Sequence, residues 1–450
     1  MIVALVVEWL DTDRGGAETS VRQFIDELLA IGLTLHVITR SRIPNQTNLH
    51  IHRLEPWALT RKAATAAFLD AAEIAVARAT AEPADSAGAR PSAAAPAQAS
   101  PTAPPPCDLS PCDLPPCDLP PCDLIHAFIP CRGAHLYQPR GGLIQETIDR
   151  TIASRPTAWS RRLKRLDLAL NRRQKLLLRR EREWLTSGSK PLVVAISHYV
   201  QRQLHHHLQY PASHIRHIPN GVRTDPPATI APSEPPATTP PFPPSGEPTA
   251  TPGGASTSKT AKTRSLVLLQ ICHNFRLKGL ETTIRAIARC NHNHQMPITL
   301  IVAGRDKPGP WKRLTARLGV GDQVRFTGPV QHPMELFCQA DLLVHPTFYD
   351  PCSRVVLEAL AHGLPVITSR FDGAAEAVES GHAGFVLNSP ADDAELAALL
   401  LKLSDPDLRR QLAARARAMR QRVSMARHAR EVVAVYEELI SGRAGRLRSC

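Results

Sequence analysis

Strand-like and helix-like segments alternate along both halves of this 450-residue chain, and this alternation limits the possible folds more than any other feature. Apolar runs typical of buried strands lie at 2–7, 34–39, 124–129, 192–196, 266–271, 298–303, 324–326, 342–345 and 366–368. Helical patterns fill most of the intervals and also cover 391–420 and 424–441. Strands that alternate with helices pair in parallel, so the expected fold class is α/β, with two Rossmann-like parallel-sheet domains. Ligands of such folds bind beyond the carboxyl ends of the strands, which places the expected site in the cleft between the domains.

Two proline-rich segments interrupt the alternation and predict the domain boundaries. Residues 81–121 consist mainly of Ala, Pro and Ser, and residues 223–263 form a Pro/Thr/Ser linker. Segments of this composition cannot bury enough apolar surface to fold, so both are predicted to be disordered. The expected organisation is a first domain at 1–222, the linker, a second domain at 264–424, and a C-terminal helix at 425–450 that packs back on the first domain.

Four of the ten cysteines belong to a tandem Cys-Asp-Leu repeat with a period of five residues: Cys107, Cys112, Cys117 and Cys122. The last copy leads into the apolar run at 124–129, so duplication of the segment before that strand accounts for the repeat. A metal site is the alternative interpretation. We reject it, because the spacing matches no usual zinc pattern and a proline-rich chain holds ligands poorly.

The net charge of +13 is strongly positive and indicates an acidic partner. Lys and Arg are concentrated in the segment 150–190. An apolar stripe in this segment keeps helical spacing at Leu163, Leu166, Leu170, Leu177 and Trp184. The segment is either a packed helix with a solvated basic face or a peripheral contact with an anionic membrane surface. Nucleic acid is not an expected partner, because the segment contains no recognisable nucleic-acid-binding module.

The sequence predicts no transmembrane helix, because no apolar run approaches the roughly 18 residues that a span needs. The first seven residues lack the basic region and the cleavage site of a signal peptide and are typical of a buried first strand. The expected location is the cytoplasm, with peripheral attachment to the inner face of the cytoplasmic membrane through the basic segment.

Two carboxylates eight positions apart flank the start of a predicted helix in the second half. Asp350 precedes the run Pro-Cys-Ser353-Arg-Val-Val-Leu-Glu358, and Gly363 and Pro365 end the helix. Ser353 is a suitable N-cap residue, and a rise of ~1.5 Å per residue places the two carboxylates roughly 10 Å apart. The free N–H groups and the positive dipole end of the helix lie between them. A sugar nucleotide, with hydroxyl groups at both ends and a diphosphate in the middle, fits this arrangement.

Strand-to-helix turns in both halves are further candidates for phosphate binding. Gly15–Gly16 follows the first strand, where backbone N–H groups can approach a phosphate without a Cβ in the way. Arg276 and Lys278 stand at the start of a helix in the second half, where they can neutralise a diphosphate. Each feature taken alone is also explained by an ordinary turn or by surface charge. Gly304–Arg305, at a later strand end, is a candidate for contact with the base or the ribose.

Together these motifs resemble those of retaining glycosyltransferases of family four, which have the GT-B fold. The resemblance rests on Ile-Pro-Asn220-Gly221-Val, Phe-Arg276-Leu-Lys278-Gly, Val-Ala-Gly304-Arg-Asp, Ala340-Asp341-Leu-Leu-Val-His345-Pro346 and the carboxylate helix. It spans nearly the whole chain outside the proline-rich segments. Within the family, the motifs look most like those of lipopolysaccharide core glucosyltransferases that act on heptose. The resemblance implies transfer of a hexose, here glucose, from a UDP-sugar to a lipid-linked or lipopolysaccharide-core-like glycan, with retention of configuration.

By matching position, the resemblance assigns Glu358 to the donor ribose, Asp350 to the donor sugar, and Arg276 and Lys278 to the diphosphate. Asp350 is one methylene shorter than the glutamate of the family, which leaves the identity of the donor sugar open. The implied donor-binding set is Gly15, Gly16, Gly304, Arg305, Ser353, Arg354, Val355 and Glu358, and the implied catalytic set is Arg276, Lys278, Asp350 and His135.

The histidines of the first half are weaker candidates. His135 falls near a position that is acidic in the lipopolysaccharide relatives, and it is either a contact to donor or acceptor or a structural histidine. His126 is a second such residue. No Asp-x-Asp motif stands where a metal-dependent transferase would need one, so neither a metal nor another cofactor is expected.

Two other functions fit the same fold. A nucleotide-sugar epimerase would need acid and base groups at the cleft, and the family-four motifs argue against it. A non-catalytic protein that binds sugar nucleotides or glycans stays open, because Asp350 replaces a glutamate and the role of His135 is unsettled. Product formed on addition of an acceptor would distinguish a transferase from a binding protein, and a free sugar epimer would indicate an epimerase.

Overall fold

The computed structural model describes residues 1–55, 58, 60–80, 119–224, 265–294, 296–330 and 333–448. The predictions of disorder for 81–121 and 223–263 therefore concern residues outside the described part, apart from a few at their ends. The repeat cysteines Cys107, Cys112 and Cys117 also lie outside it. Leu119, which the sequence placed in the first proline-rich segment, is buried in the apolar core, so the packed chain has resumed by that position.

The first domain is built on a parallel seven-stranded sheet. Its elements are β1 (Ile2–Val6), α1 (Gly16–Ala30), β2 (Thr34–Thr39), β3 (Leu49–Arg53), α2 (Arg61–Thr80), β4 (Leu124–Ala127), β5 (Leu136–Tyr137), α3 (Ile144–Ala153), α4 (Ala158–Leu170), α5 (Arg172–Leu185), β6 (Leu192–Ala195), α6 (His198–Leu208) and β7 (Ile215–His217). The strand order is β3-β2-β1-β4-β5-β6-β7.

The second domain repeats this plan with six parallel strands. Its elements, with the helices that follow, are β8 (Leu266–Ile271), α7 (Leu280–His294), β9 (Ile298–Ala303), α8 (Gly309–Arg317), β10 (Val324–Gly328), α9 (Met334–Gln339), β11 (Leu342–His345), α10 (Arg354–Ala361), β12 (Val366–Ser369), α11 (Ala375–Ser380), β13 (Gly384–Leu387), α12 (Asp393–Lys402), α13 (Pro406–Ala418) and α14 (Met425–Arg448). The strand order is β10-β9-β8-β11-β12-β13.

Burial on both faces of each sheet explains why these strands are continuous apolar runs. Along β1, Val3 and Leu5 belong to one apolar cluster, whereas Ala4 and Val6 belong to another on the opposite face. Parallel strands are usually covered by helices on both sides in this way. The prediction of two Rossmann-like parallel-sheet domains is therefore confirmed.

The chain crosses back to the first domain after α13. The backbone of Val222 donates to Val423 O at 2.9 Å and accepts from Met425 N at 2.8 Å. A Cβ on Gly221 would lie 2.5 Å from Ser424 O, so this close approach requires the glycine of the Pro-Asn-Gly-Val motif. Helix α14 then packs against α1, and its Tyr436 joins the apolar cluster of the first sheet.

The basic segment divides into two helices with different environments. Helix α4 buries none of its residues, whereas α5 buries Trp184. The apolar stripe predicted along the segment is thus broken at Asn171, which caps α5 with its side chain. Among the described residues, no helix combines the length and apolar character that crossing a membrane requires.

A buried polar network holds α14 against the first domain. His428 Nδ1 lies 2.8 Å from Pro219 O, so it donates this bond, and Nε2 accepts from Gln138 at 3.0 Å and from Arg140 at 3.3 Å. His126 Nδ1 pairs with Tyr436 Oη at 2.7 Å. Burial and the charge of Arg140 hold the pKa of both His428 and His126 well below 6.5. Both histidines are therefore neutral in the folded protein at neutral pH.

Acidification is expected to destabilise the protein below about pH 6.5. The unfolded chain then binds protons at His126 and His428 that the folded chain excludes, so the free energy of unfolding falls as pH falls. The slope approaches about 1.4 kcal/mol per pH unit for each histidine. Urea unfolding between pH 7.5 and 5.5 measures it. His428→Gln should reduce the slope, whereas His292→Gln at an exposed position of α7 should not; equal slopes in both variants would contradict this origin.

Candidate functional site

The turn before α7 and the loop after β11 meet at an ion pair. Lys278 Nζ donates to Asp350 Oδ2 at 2.6 Å and to Tyr349 O at 2.9 Å. The approach is possible because Gly279 has a φ of +71°, and a Cβ there would lie 2.0 Å from Pro346 O. The Lys-Gly sequence therefore places a cation beside the N-terminus of α10, at the carboxyl end of β11.

Asp350 is held in its ionised form. Its Oδ1 accepts from the backbone N–H of Cys352 at 3.2 Å, and His345 Nε2 lies 3.9 Å from Oδ2. Burial by itself would raise the pKa of this carboxyl, but Lys278 and His345 outweigh burial and hold the pKa below its usual range. At neutral pH the group is thus an anion that can orient Lys278 or stabilise positive charge, and it is not a proton donor.

The N-terminus of α10 is organised by Asp372 and not by Ser353. Ser353 occupies the N-cap position, but its side chain makes no capping bond, and its Oγ lies 3.4 Å from His345 Nε2. Instead, Asp372 Oδ1 accepts from the backbone N–H of Ser353 at 3.0 Å and of Ala374 at 2.9 Å. Burial and the charge of Asp350 raise the pKa of Asp372. The predicted capping role of Ser353 is wrong because its hydroxyl turns towards His345.

Arg354 connects the second domain to the first across the cleft. Its Nη2 donates to Glu358 Oε1 at 2.6 Å, one turn along α10, and its Nη1 donates to Gly16 O at 3.2 Å. Gly15 is the N-cap residue of α1, so the predicted glycine loop faces the start of α10. Val355, in the first turn of α10, is half-buried. The structure thus brings Gly15, Gly16, Arg354 and Glu358 together.

A second contact across the cleft comes from the end of β9. Gly304 has a φ of 155°, and a Cβ there would lie 1.8 Å from Cys272 O, so the turn after β9 requires glycine. Arg305 then donates to the carbonyl of Asp13, in the loop that leads to Gly15. The predicted pair Gly304–Arg305 therefore closes over the same glycine loop as Arg354.

Arg276 lies at the edge of this arrangement. Its Nη1 is 3.5 Å from Glu281 Oε2, and its guanidinium carbon lies 5.3 Å from the centre of the Trp311 ring. Burial and the charge of Arg276 lower the pKa of Arg155, a residue of the first domain that sequence reasoning missed. Cations from both domains thus contribute positive potential to this side of the cleft, which favours an anion there.

The structure does not bring His135 to the cleft. Its backbone N–H donates to Ile125 O, and its Nδ1 accepts from the backbone N–H of Ile125 at 3.0 Å. Ile125 pairs with Ala4 in the middle of β1. At about 3.3 Å per residue, His135 is thus about 7 Å from the carboxyl end of that strand. The proposed contact with donor or acceptor is replaced by a structural role, because β5 begins only after this residue.

The cleft also contains a contact that the sequence did not suggest. Tyr349 Oη donates to Gly141 O at 3.2 Å, and a Cβ on Gly142 would lie 1.9 Å from Tyr349 Oη. The Gly-Gly pair after β5 is therefore shaped to receive the tyrosine that precedes Asp350. The pair is visible in the sequence, but its partner is more than 200 residues away and no local signal connects the two.

Two family models match the chain. The model described as "Glycosyl transferases group 1" matches residues 256–419, and the model described as "Glycosyltransferase Family 4" matches residues 123–226. The first match includes Lys278, Asp350 and Glu358. Both halves of the chain thus carry glycosyltransferase domains, and the recognition made from the sequence motifs is confirmed at the level of the family.

Individual relatives agree with this assignment. The lipopolysaccharide glucosyltransferase WaaG of Escherichia coli (strain K12) is 34% identical over 141 residues, which are 31% of this chain and 38% of that protein. The alignment thus spans less than half of this curated relative. The crystal structure of WaaG superimposes with a TM-score of 0.65 at 18% identity, covering 96% of this chain and 99% of that one. The Anabaena protein Alr3699/HepE in complex with UDP-glucose gives 0.59 at 17% identity, covering 97% and 100%. These likenesses show the GT-B fold.

Removal of the cation that compensates Asp350 is expected to destabilise the second domain. Lys278→Met should lower the free energy of unfolding by about 3 kcal/mol, because it leaves an unpaired and mostly buried carboxylate. Adding Asp350→Asn should recover most of this loss, since a neutral amide needs no cation. Urea unfolding measures both effects. The control is Lys307→Met, an exposed lysine of the same domain that should change the value by less than about 0.5 kcal/mol. A loss that Asp350→Asn does not reduce would rule out this coupling.

Proposed function

We propose that this chain, with glycosyltransferase domains in both halves, is a retaining glycosyltransferase that moves glucose from a UDP-sugar to a lipid-linked glycan of the lipopolysaccharide-core kind. The observation that carries the proposal is the pair of charged contacts around the start of α10. Asp350 with Lys278 lies on one side, and Glu358 with Arg354 lies on the other. A sugar nucleotide can match both contacts at once. Its sugar would lie at Asp350, its diphosphate at Lys278 and the start of α10, and its ribose at Glu358.

The N-terminus of α10 and Lys278 are suited to the diphosphate. Helix N-termini present free N–H groups and a positive dipole end to anions. The Lys278 ammonium has three N–H donors, of which two are used by Asp350 and the Tyr349 carbonyl, so the third is left for a phosphate oxygen. Arg276 supplies further positive charge at the edge of the cleft. These groups stabilise the charge of a departing nucleoside diphosphate without having to reorganise.

Glu358 is suited to the ribose hydroxyls. Its carboxylate is about one-fifth exposed and is oriented by Arg354 through Oε1. Because Arg354 also binds Gly16 O, the ribose subsite and the glycine loop of the first domain are linked through one side chain. Arg305 is close to the same loop. Donor binding in this position would therefore be sensed by both domains.

The reaction that this arrangement supports is attack on the face from which the diphosphate leaves. The bond between the anomeric carbon and the phosphate oxygen breaks, the acceptor oxygen bonds to that carbon, and the acceptor proton passes to the departing phosphate. Asp350, as a permanent anion, stabilises the positive charge that develops on the sugar. Its hydrogen bond with Lys278 fixes its position relative to the leaving group. The proposed step uses no divalent ion, because Lys278, Arg276 and the start of α10 supply the positive charge that the leaving group needs.

The identities of nucleotide and sugar are supported by the relatives. WaaG is named as a lipopolysaccharide glucosyltransferase, and the Anabaena protein has been solved with UDP-glucose. The acceptor is proposed from the same likeness. The name of WaaG as a transferase favours transfer over epimerisation.

Calorimetric titration should show that UDP and UDP-glucose bind more tightly than GDP or ADP, and that EDTA does not change the affinity. Glu358→Ala should abolish UDP binding, because the ribose hydroxyls lose their acceptor. Glu379→Ala removes an exposed glutamate of α11 and should bind UDP like the wild type. A folded wild-type protein that binds none of the nucleotides would overturn the donor site. Nucleotide binding without product on any lipid-linked glycan would leave a binding protein.

Helix α4 is the proposed contact with the membrane that carries the acceptor. Its apolar side chains are exposed: Trp159 by 67%, Leu163 by 49%, Leu166 by 62% and Leu170 by 79%. Arg161, Arg162, Lys164 and Arg165 lie on the same helix. A helix that combines exposed apolar side chains with cations binds at the interface of an anionic bilayer. This would place the enzyme on the inner face of the cytoplasmic membrane.

Vesicle co-sedimentation is expected to depend on α4 and on lipid charge. The protein should bind vesicles with phosphatidylglycerol and bind weakly to vesicles of phosphatidylcholine alone, and added salt should weaken binding. Replacing Trp159, Leu163 and Leu166 by Ser should remove the binding. Ile74→Ser and Leu401→Ser alter apolar residues exposed elsewhere and should leave it intact. Equal binding by the triple variant would exclude α4 as the contact.

A further inference from the structure

Three side chains of types that can bind a metal ion lie close together at the contact between the two domains. His198 is the first residue of α6, His217 is the last residue of β7, and Glu376 lies in the first turn of α11. His217 Nε2 is 3.1 Å from Glu376 Oε1, and the backbone N–H of His198 donates to Glu376 Oε2 at 2.8 Å. The two imidazole rings stack with centroids 3.7 Å apart. Ligand atoms of the three side chains all lie within 4.8 Å of one another.

We propose that His198, His217 and Glu376 bind a divalent transition-metal ion of the zinc class and so join the two domains. Two imidazoles and one carboxylate form a donor set that suits Zn²⁺, whereas Mg²⁺ and Ca²⁺ prefer oxygen ligands alone. The three residues come from both domains, two from the first and one from the second. An ion bound by all three therefore bridges the domains.

The environment of His198 also suits metal binding. His198 Nδ1 lies 3.1 Å from Gln201 Oε1, so a proton on Nδ1 leaves Nε2 with a lone pair for the metal. The His198 side chain is exposed, so an ion can reach it from the solvent. The contact of Nδ1 with Gln201 is typical of histidines that bind metals through one nitrogen, because their other nitrogen is usually fixed by an oxygen acceptor.

A cavity beside the three residues provides room for the remaining coordination positions. It has a volume of about 510 Å³ and is lined by His198, His217 and Glu376 together with residues of α14, including Arg427 and Glu431. Sites with three protein ligands usually complete a tetrahedron with water. The cavity is large enough for that water and for a small anion beside it.

An ion at this site would have a structural effect, because the site lies beside a hydrogen bond that already joins the two domains. Ser197, next to His198, donates through Oγ to Pro351 O at 2.6 Å. Gly373 allows this contact, since a Cβ there would lie 1.9 Å from Pro351 O. Pro351 directly follows Asp350. An ion at the site would thus fix the two domains next to the donor carboxylate without taking part in the transfer, and the inference does not depend on the proposed function.

The test uses the full chain after treatment with EDTA and subsequent removal of the chelator. Zn²⁺ alone should raise the thermal midpoint, and Co²⁺ should give the visible absorption of a four- or five-coordinate site with nitrogen ligands. His198→Asn, His217→Asn and Glu376→Gln should each abolish both signals. Gln201→Ala should weaken binding about 10- to 100-fold, because it frees the His198 ring.

The other histidines of α6 provide the matched control. His205→Asn with His206→Asn alters two exposed histidines of that helix and should leave both signals unchanged. Loss of the signals in this control but not in the three ligand variants would assign the metal to the helix surface and overturn the proposal. An absence of any Zn²⁺ effect on the wild type would overturn it too. His198 is exposed, so His198→Asn decides the question even if the other variants fail to fold.

Discussion

The hydrogen-bonded ion pair of Lys278 and Asp350 is the interaction on which the arrangement of the site depends. Asp350 also donates its backbone N–H to Phe371 O at 3.0 Å and accepts at its carbonyl from Gly373 N at 2.9 Å. One residue thereby joins the turn before α7, the loop after β11 and the loop after β12. Since the charges hold each other in place in a mostly buried setting, they are already oriented before any ligand binds.

The two domains fit closely because small residues stand where backbone or side chains approach. Gly142 lies against the Tyr349 hydroxyl, and Gly16 lies against Arg354. Gly373 lies beside the hydrogen bond that joins Ser197 to Pro351. Longer side chains in place of Gly142 or Gly373 would force the domains apart. Glycines on both sides of the cleft therefore contribute to the relative position of the sheets. This geometry places the carboxyl ends of both sheets opposite each other, where α/β folds bind their ligands.

The sequence predicted the fold well because doubly covered parallel strands are continuous apolar runs; β2, β8, β9 and β11 begin and end at the predicted residues. The second-domain motifs were also informative, since Lys278, Asp350 and Glu358 are placed by short local elements. The sequence could not decide between the two roles of His135, because its position in the sheet depends on the two-residue strand β5, which has no clear pattern.

Contacts between distant parts of the chain had no local signal. Arg354 with Gly16 and His198 with Glu376 join residues 338 and 178 positions apart. The sequence likewise did not indicate that α4 is exposed, because its apolar residues continue the same helical spacing as the residues that α5 buries.

The return of α14 to the first domain has a consequence for synthesis of the chain. The apolar cluster around Phe24 is completed by residues of α14 such as Val432 and Tyr436, which are made about 400 residues later. While the ribosome builds the second domain, one face of the first sheet lacks its final cover. The first domain therefore cannot finish folding as an independent unit, and the nascent chain carries an exposed apolar face that holding chaperones can recognise. Two domains that look autonomous in sequence order must reach their native state together.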